Sequence, residues 1–184
     1  MSTTNVSRQS AEVMLLAVSV VIIKLLAALI ILRFFIVSIN RIDGSSMSPT
    51  LTSGQLAVYS KIDYAFKNPE RFDIVEIINP INKSDFLTKR VVGLPGETLI
   101  FKNGKIFLSE STSTNSTLQE ITEPYLEKNI LTSVGANYEY HAISAGKNQY
   151  IVLGDNRSHS SVDSRLFGPI NRSQIIGKLL TTIP

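Results

Sequence analysis

Residues 13–32 form an unbroken run of 20 residues whose only charge is Lys24. As an α-helix rising ~1.5 Å per residue, the run is about 30 Å long, the thickness of a bilayer's hydrocarbon core. The mid-span lysine costs about 2.5 to 3.5 kcal/mol on insertion scales, whereas the 14 Leu, Ile and Val residues return roughly 4 to 8 kcal/mol. Insertion wins. A cleaved leader has a shorter apolar region, about 7 to 15 residues, and ends at a small-residue site. Here Arg33-Phe34-Phe35 closes the run instead, the arginine suited to the interface and the aromatics to shallow membrane contact. The expectation is a short N-terminal tail over residues 1–12, a single transmembrane anchor over 13–33 and a folded domain over 34–184. Charge leaves the orientation open, because Arg8 and the terminal amine on one side compete with Arg33 and Arg41 on the other.

The anchor also explains the composition. The chain is 43% hydrophobic with a mean hydropathy of +0.15, but the apolar weight sits in that one block. The formal charge of +3 would suit an anionic partner, yet from Phe34 onward 15 Lys and Arg face 14 Asp and Glu. No basic run is interleaved with aromatics, which argues against a nucleic-acid partner. Cysteine is absent, so neither disulfides nor thiolate metal sites are available.

Beyond the anchor, short apolar runs alternate with turn residues, the pattern of a mainly β, antiparallel domain. Candidate strands are residues 56–60, 73–78, 86–92, 98–102, 105–109, 150–153 and 175–180. Asn103-Gly104 joins two of them as a tight hairpin, since both residues tolerate the positive φ of a type I′ turn. From about residue 110 to 146 the sequence turns polar, with a Ser/Thr/Asn-rich stretch at 111–117. Residues 104–148 are therefore expected to form a small, variable, β-rich insert or cap.

Three stretches carry groups suited to chemistry. Asp43-Gly44-Ser45-Ser46-Met47-Ser48-Pro49-Thr50-Leu51 follows the anchor on a segment whose backbone can bend sharply; alone it reads as a linker. Phe86-Leu87-Thr88-Lys89-Arg90-Val91-Val92-Gly93-Leu94-Pro95-Gly96 embeds Lys89 among apolar residues of a strand. Desolvation there lowers an amine's pKa from roughly 10.4 to about 7 or 8, where it can accept a hydroxyl proton. The plain alternative is a strand-end lysine snorkelling to water beside an exposed Arg90. Gly154-Asp155-Asn156-Arg157 through Asp163-Ser164-Arg165 is dense in hydrogen-bonding groups directly after a strand. Asp163 and Arg165 can pair to fix that loop, and a serine within it can orient the Lys89 amine.

Together these stretches resemble the bacterial type I signal peptidases, in particular the compact Gram-positive members. The resemblance covers most of the chain. Gly44 to Leu51 is similar to the family's nucleophile box, with the catalytic serine directly before Met, which points to Ser46. Thr88 to Gly96 is similar to its base box, which points to Lys89. Arg71-Phe72-Asp73-Ile74-Val75 and the Gly154 to Arg165 stretch are similar to two further boxes. The resemblance implies a membrane-bound serine endopeptidase that removes signal peptides from exported preproteins after small residues, by a Ser-Lys dyad and an acyl-enzyme. It implies an oxyanion held by the Ser46 backbone N–H and the Gly44 region, with Ser161, Asp163 and Arg165 in support. Ile42, Met47, Leu51, Leu87 and Thr88 are the expected substrate-binding residues. It implies no cofactor or metal, signal peptides and the lipid bilayer as partners, a cytoplasmic tail and an extracytoplasmic catalytic domain.

Two departures stand out. Five residues, 158–162, separate the two halves of the last box where the family usually has four, so the lysine-orienting serine is Ser161 when counted from Asp163 and Ser160 when counted from Arg157. Thr88 stands where the family commonly has an aliphatic pocket residue. Among rival readings, a histidine-based triad has only His141 and His159 to draw on, neither in a catalytic setting. Ser144-Ala145-Gly146-Lys147 matches an S-x-x-K string but lacks its companion motifs. A non-catalytic assembly factor for surface structures would be expected to lack the serine or the lysine.

Overall fold

The structure, a computed structural model, describes residues 3–109, 118–127, 130–133, 141–158 and 162–184. The chain divides into two units, Met1–Val37 and Ser38–Pro184. The first is one helix, α1 (Thr3–Ile31), continued by a π-helical turn at Leu32–Ile36. Within it, Glu12–Ile31 is long and apolar enough to cross a membrane, and its side chains are exposed all round. Such a helix, apolar on every face, suits lipid better than water.

The second unit is built on strands. In chain order they are β1 (Val37–Arg41), β2 (Leu56–Ser60), a helical turn α2 (Asp63–Phe66), β3 (Ile74–Ile78), β4 (Phe86–Gly93), β5 (Thr98–Lys102), β6 (Lys105–Ser109), β7 (Gln119–Glu120), β8 (His141–Ser144), β9 (Gln149–Leu153), a helical turn α3 (Ser164–Phe167), β10 (Ile170–Asn171) and β11 (Ile175–Ile183). Seven make one sheet in the order β1-β2-β11-β3-β4-β9-β10, and four make another in the order β7-β6-β5-β8. The mainly β, antiparallel architecture read from the sequence is the one observed.

Each expected strand is present, and the hairpin geometry follows from its residues. Lys102 pairs with Lys105, leaving Asn103 (φ 52) and Gly104 (φ 74) as the turn, both in the left-handed region that a type I′ turn requires. Parts of the polar stretch are more ordered than its composition suggests. β7 and β8 extend the second sheet, and Thr132 is buried.

β4 joins the layers. Successive residues of a strand face opposite sides, and here Val91 enters a cluster with Val75, Ile77, Tyr150, Val152, Ile170 and Ile175, while Val92 enters one with Leu99, Phe101, Ile106, Ile143, Ile151 and Leu153. Each such fully buried aliphatic residue contributes about 1.5 to 3 kcal/mol. The pairing of β4 with β9 shifts register between Val91 and Gly93, and a Cβ at Gly93 would fall 2.8 Å from Ile151 Cδ1, so close an approach that only glycine fits. The first sheet curls on itself. β2 and β11 lie between β1 and β3 in the sheet, yet Asn40 of β1 hydrogen-bonds Glu76 of β3 across the inside of the curl. Register shifts along β11, where it pairs with β2 and again with β3, supply the bending that this requires.

Candidate active site

The segment after β1 is tied down at both ends. Ile42 exchanges backbone hydrogen bonds with Gln55 and Gly54, each at 2.8 Å. Ile42, Met47 and Leu51 then bury their side chains with Ala57 and Tyr59 in a third apolar cluster. Ser46 sits directly before one of these anchors, which fixes its backbone while its side chain stays partly exposed. Gly44 makes the preceding bend at φ 82. A second clamp comes from the loop after β9, where Asn156 donates its backbone N–H to the Ser46 carbonyl at 3.0 Å and its side-chain amide to the Ser45 carbonyl at 3.1 Å.

β4 brings Lys89 to the same place. It stands opposite Val75, is 2% exposed, and its Nζ lies 2.7 Å from Ser46 Oγ. Burial pushes the amine down from its ordinary 10.5 to about 8; Arg165 adds to the lowering, while Asp163 and Asp155 oppose it. Arg90 is buried as well, not an exposed neighbour. Its guanidinium grips Asp155 through Nε at 2.8 Å and Nη2 at 2.5 Å, gives Nη1 to the Phe72 carbonyl at 2.9 Å, and lies 3.8 Å from the centre of the Tyr125 ring. Asp155 also accepts from Thr50 Oγ1 at 2.6 Å, so one fully buried carboxylate joins β4 to the segment that carries Ser46.

The rest of the loop is braced by charge. Asp163 is fully buried, caps α3 by accepting from the Arg165 backbone N–H at 3.0 Å, receives the Gly154 N–H at 3.0 Å and pairs with the Arg165 guanidinium at 2.6 Å. Arg165 reaches on to the carbonyls of Ser133 and Arg157 at 2.7 and 2.9 Å. Arg157, also fully buried, is neutralised by Glu123 and bonded to Thr132 and Tyr125. Ser160, Ser161 and His159 lie outside the described residues.

Of the expected pocket residues, Ile42, Met47 and Leu51 belong to the third cluster, Leu87 is half-buried against the first, and Thr88 places its hydroxyl 2.5 Å from that of Tyr59. His141 is exposed, its ring 6.1 Å from that of Phe101, and the Ser144 hydroxyl pairs with Thr98 at 2.8 Å. Neither competes with the Ser46 and Lys89 pair. Sequence reasoning missed Glu123 and Tyr125, which sit in the polar stretch without periodicity to mark them, and the buried Glu76.

A serine hydroxyl in contact with a buried amine of lowered basicity is the arrangement of a serine hydrolase that works with lysine in place of histidine. The family comparisons agree with that class. The family model described as signal peptidase, peptidase S26, matches residues 13–183. Signal peptidase IB of Staphylococcus aureus is 36% identical over 165 residues, covering 82% of this chain and 80% of that protein. Signal peptidase I of Bacillus caldolyticus is 35% identical over 157 residues, covering 80% of each. Signal peptidase I V of Bacillus subtilis is 34% identical over 145 residues, covering 74% of this chain and 80% of that protein. The chain belongs to the S26 signal peptidase family.

Proposed function

We propose that this protein removes N-terminal signal peptides from exported preproteins, with Ser46 as nucleophile and Lys89 as general base. The single observation that supports it most is the 2.7 Å approach of Lys89 Nζ to Ser46 Oγ with the lysine 2% exposed. The neutral amine takes the Ser46 proton as Oγ attacks the carbonyl of the scissile peptide. It returns that proton to the leaving amine, and water then releases the acyl-enzyme. The developing oxyanion is stabilised by the Ser46 N–H, with the Gly44 region contributing the second backbone donor; losing one such donor costs about 10² to 10³ in rate.

An extended peptide has a place to bind. β9 pairs with β4 only from Arg90 onward, so residues 86–89 carry a partner on one edge alone among the described residues. A preprotein strand added there hydrogen-bonds along β4 and ends at Ser46. Asp163 and Arg165 brace the residues that follow β9, and the family resemblance assigns the hydroxyl that orients the Lys89 amine to Ser161, with Ser160 the alternative. A cytoplasmic tail with the catalytic domain on the far side of the membrane fits a substrate that is cut after export. Holding enzyme and preprotein in one bilayer raises their effective concentration.

Purified full-length protein is expected to cut a preprotein whose signal ends in Ala-x-Ala. A protonated Lys89 cannot accept the Ser46 proton, so cleavage climbs about tenfold per pH unit below about 8 and levels off above it. Initial rates between pH 6 and 10 check this, and a profile that is flat or falls across that window contradicts it.

A further inference from the structure

A polar cluster that the mechanism does not use lies inside the curl of the first sheet. Glu76 on β3 pairs across strands with Thr88 on β4, and Thr88 immediately precedes Lys89. Glu76 Oε1 accepts from Asn40 Nδ2 on β1; Asn40 also donates to Ser38 Oγ at 3.0 Å, and Tyr59 OH meets Thr88 Oγ1 at 2.5 Å. Burial pushes the Tyr59 phenol up to about 12, so it keeps its proton, and either hydroxyl of the Tyr59–Thr88 pair can act as the donor. Glu76 is 2% exposed, and its Oε2 is buried with no hydrogen-bond partner among the described residues.

An orphaned buried acceptor is costly and rare. Aliphatic residues at 76 and 88 would fill the same space without that penalty, which suggests that the carboxyl serves a ligand. The cluster is also placed to meet the substrate. Both walls run to the reactive pair, β1 leading through Ile42 and Gly44 to Ser46, and β4 passing from Thr88 to Lys89. Asn40 and Thr88 are half-buried, and both adjoin the buried Glu76, Asn40 by its hydrogen bond and Thr88 by cross-strand pairing. A chain extended along the open edge of β4 points its first and third residues before the cut to one face, the third about 7 Å upstream of the first.

From this we infer that Glu76 and Thr88 make the pocket for the third residue before the cut a hydrogen-bonding one, so that serine or threonine there is preferred over alanine or valine. This rests on the protease reading and assigns a substrate class within it. A short hydroxyl side chain suits the site, because Tyr59 and Ser38 of the same cluster are themselves nearly fully buried.

The test uses the detergent-solubilised full chain and preproteins identical except for Ser, Ala or Val at that position. The wild type is expected to show a kcat/KM for Ser about 10 to 100 times that for Ala or Val. In Glu76→Val the Ser/Ala ratio falls to about 1 and the Val substrate overtakes Ser, as expected for an apolar pocket. Should Glu76→Val lose its cooperative thermal unfolding, Thr88→Val provides the same comparison, with the ratio lowered in the same direction. Equal cleavage of Ser and Ala by the wild type, or a ratio unmoved by both substitutions, overturns the pocket and leaves the protease intact. Cleavage of none of the substrates overturns the protease reading, and the pocket with it.

Discussion

Lys89→Met and Ser46→Ala each lower signal-peptide cleavage by roughly 10⁴-fold or more, and the double variant is hardly worse than either single one, because the two groups act as one unit. The lysine variant carries a second expectation of opposite sign. Lys89 is held at about 8 against an ordinary 10.5, so between those values the unfolded chain binds the extra proton and wild-type stability rises with pH. Below about 8 the folded protein bears the whole cost of a buried ammonium, about 3 kcal/mol at 1.36 kcal/mol per unit. Methionine fills the same volume without that charge but gives up the contact with Ser46. Lys89→Met is therefore expected to be more stable than wild type by about 1 to 3 kcal/mol at pH 7, with the gain shrinking towards pH 10. Denaturant unfolding of both proteins at the two pH values checks this. A lysine that served only to hold the fold would lose stability along with activity.

Asp155→Ala is expected to destabilise the catalytic domain by about 3 to 5 kcal/mol and to lower its midpoint of thermal unfolding by roughly 10 °C. The carboxylate is fully buried and neutralises Arg90, which is itself 6% exposed, so removing it strands a guanidinium that the Phe72 carbonyl and the Tyr125 ring compensate only in part. It also releases Thr50, four residues beyond Ser46, so cleavage falls along with stability. Breaking a buried pair costs far more than replacing it whole. The double variant Arg90→Met/Asp155→Leu should therefore recover much of the lost stability, and calorimetry of the single and double variants measures the coupling. A double variant whose loss equals the sum of the two single losses would contradict this account of the pair.

Much of this arrangement was legible in the chain because local signals and global fold agree. β3, β4 and β9 read as strands from branched apolar residues between turn markers. The hairpin at Asn103-Gly104 was readable because its two residues are among the few that take positive φ easily. The Ser46, Lys89 and Asp163 stretches stood out by residue type, and their order along the chain supported one another. β1 was invisible because it begins where the apolar helix ends, so residues 33–39 show no change of period and no turn. β8 lies in polar surroundings and becomes a strand by pairing with β5, a contact set by tertiary structure. The buried Arg90 looked like surface because its partner lies 65 residues away. Glu76 was hidden for a related reason. In Ile74-Val75-Glu76-Ile77-Ile78 a lone glutamate reads as the solvent side of a strand, and only the curl that brings Asn40 over it turns that side inward.

The proposed mechanism needs the amine at Lys89 to be largely neutral at the pH where the enzyme works. It is tested most directly by titrating the protein with 13C at lysine Cε, with Lys89 identified as the resonance missing from Lys89→Met. This resonance is expected to titrate near 8, apart from the bulk of the lysines. A midpoint near the ordinary 10.5 would show a charged amine beside Ser46 at neutral pH and would contradict the mechanism.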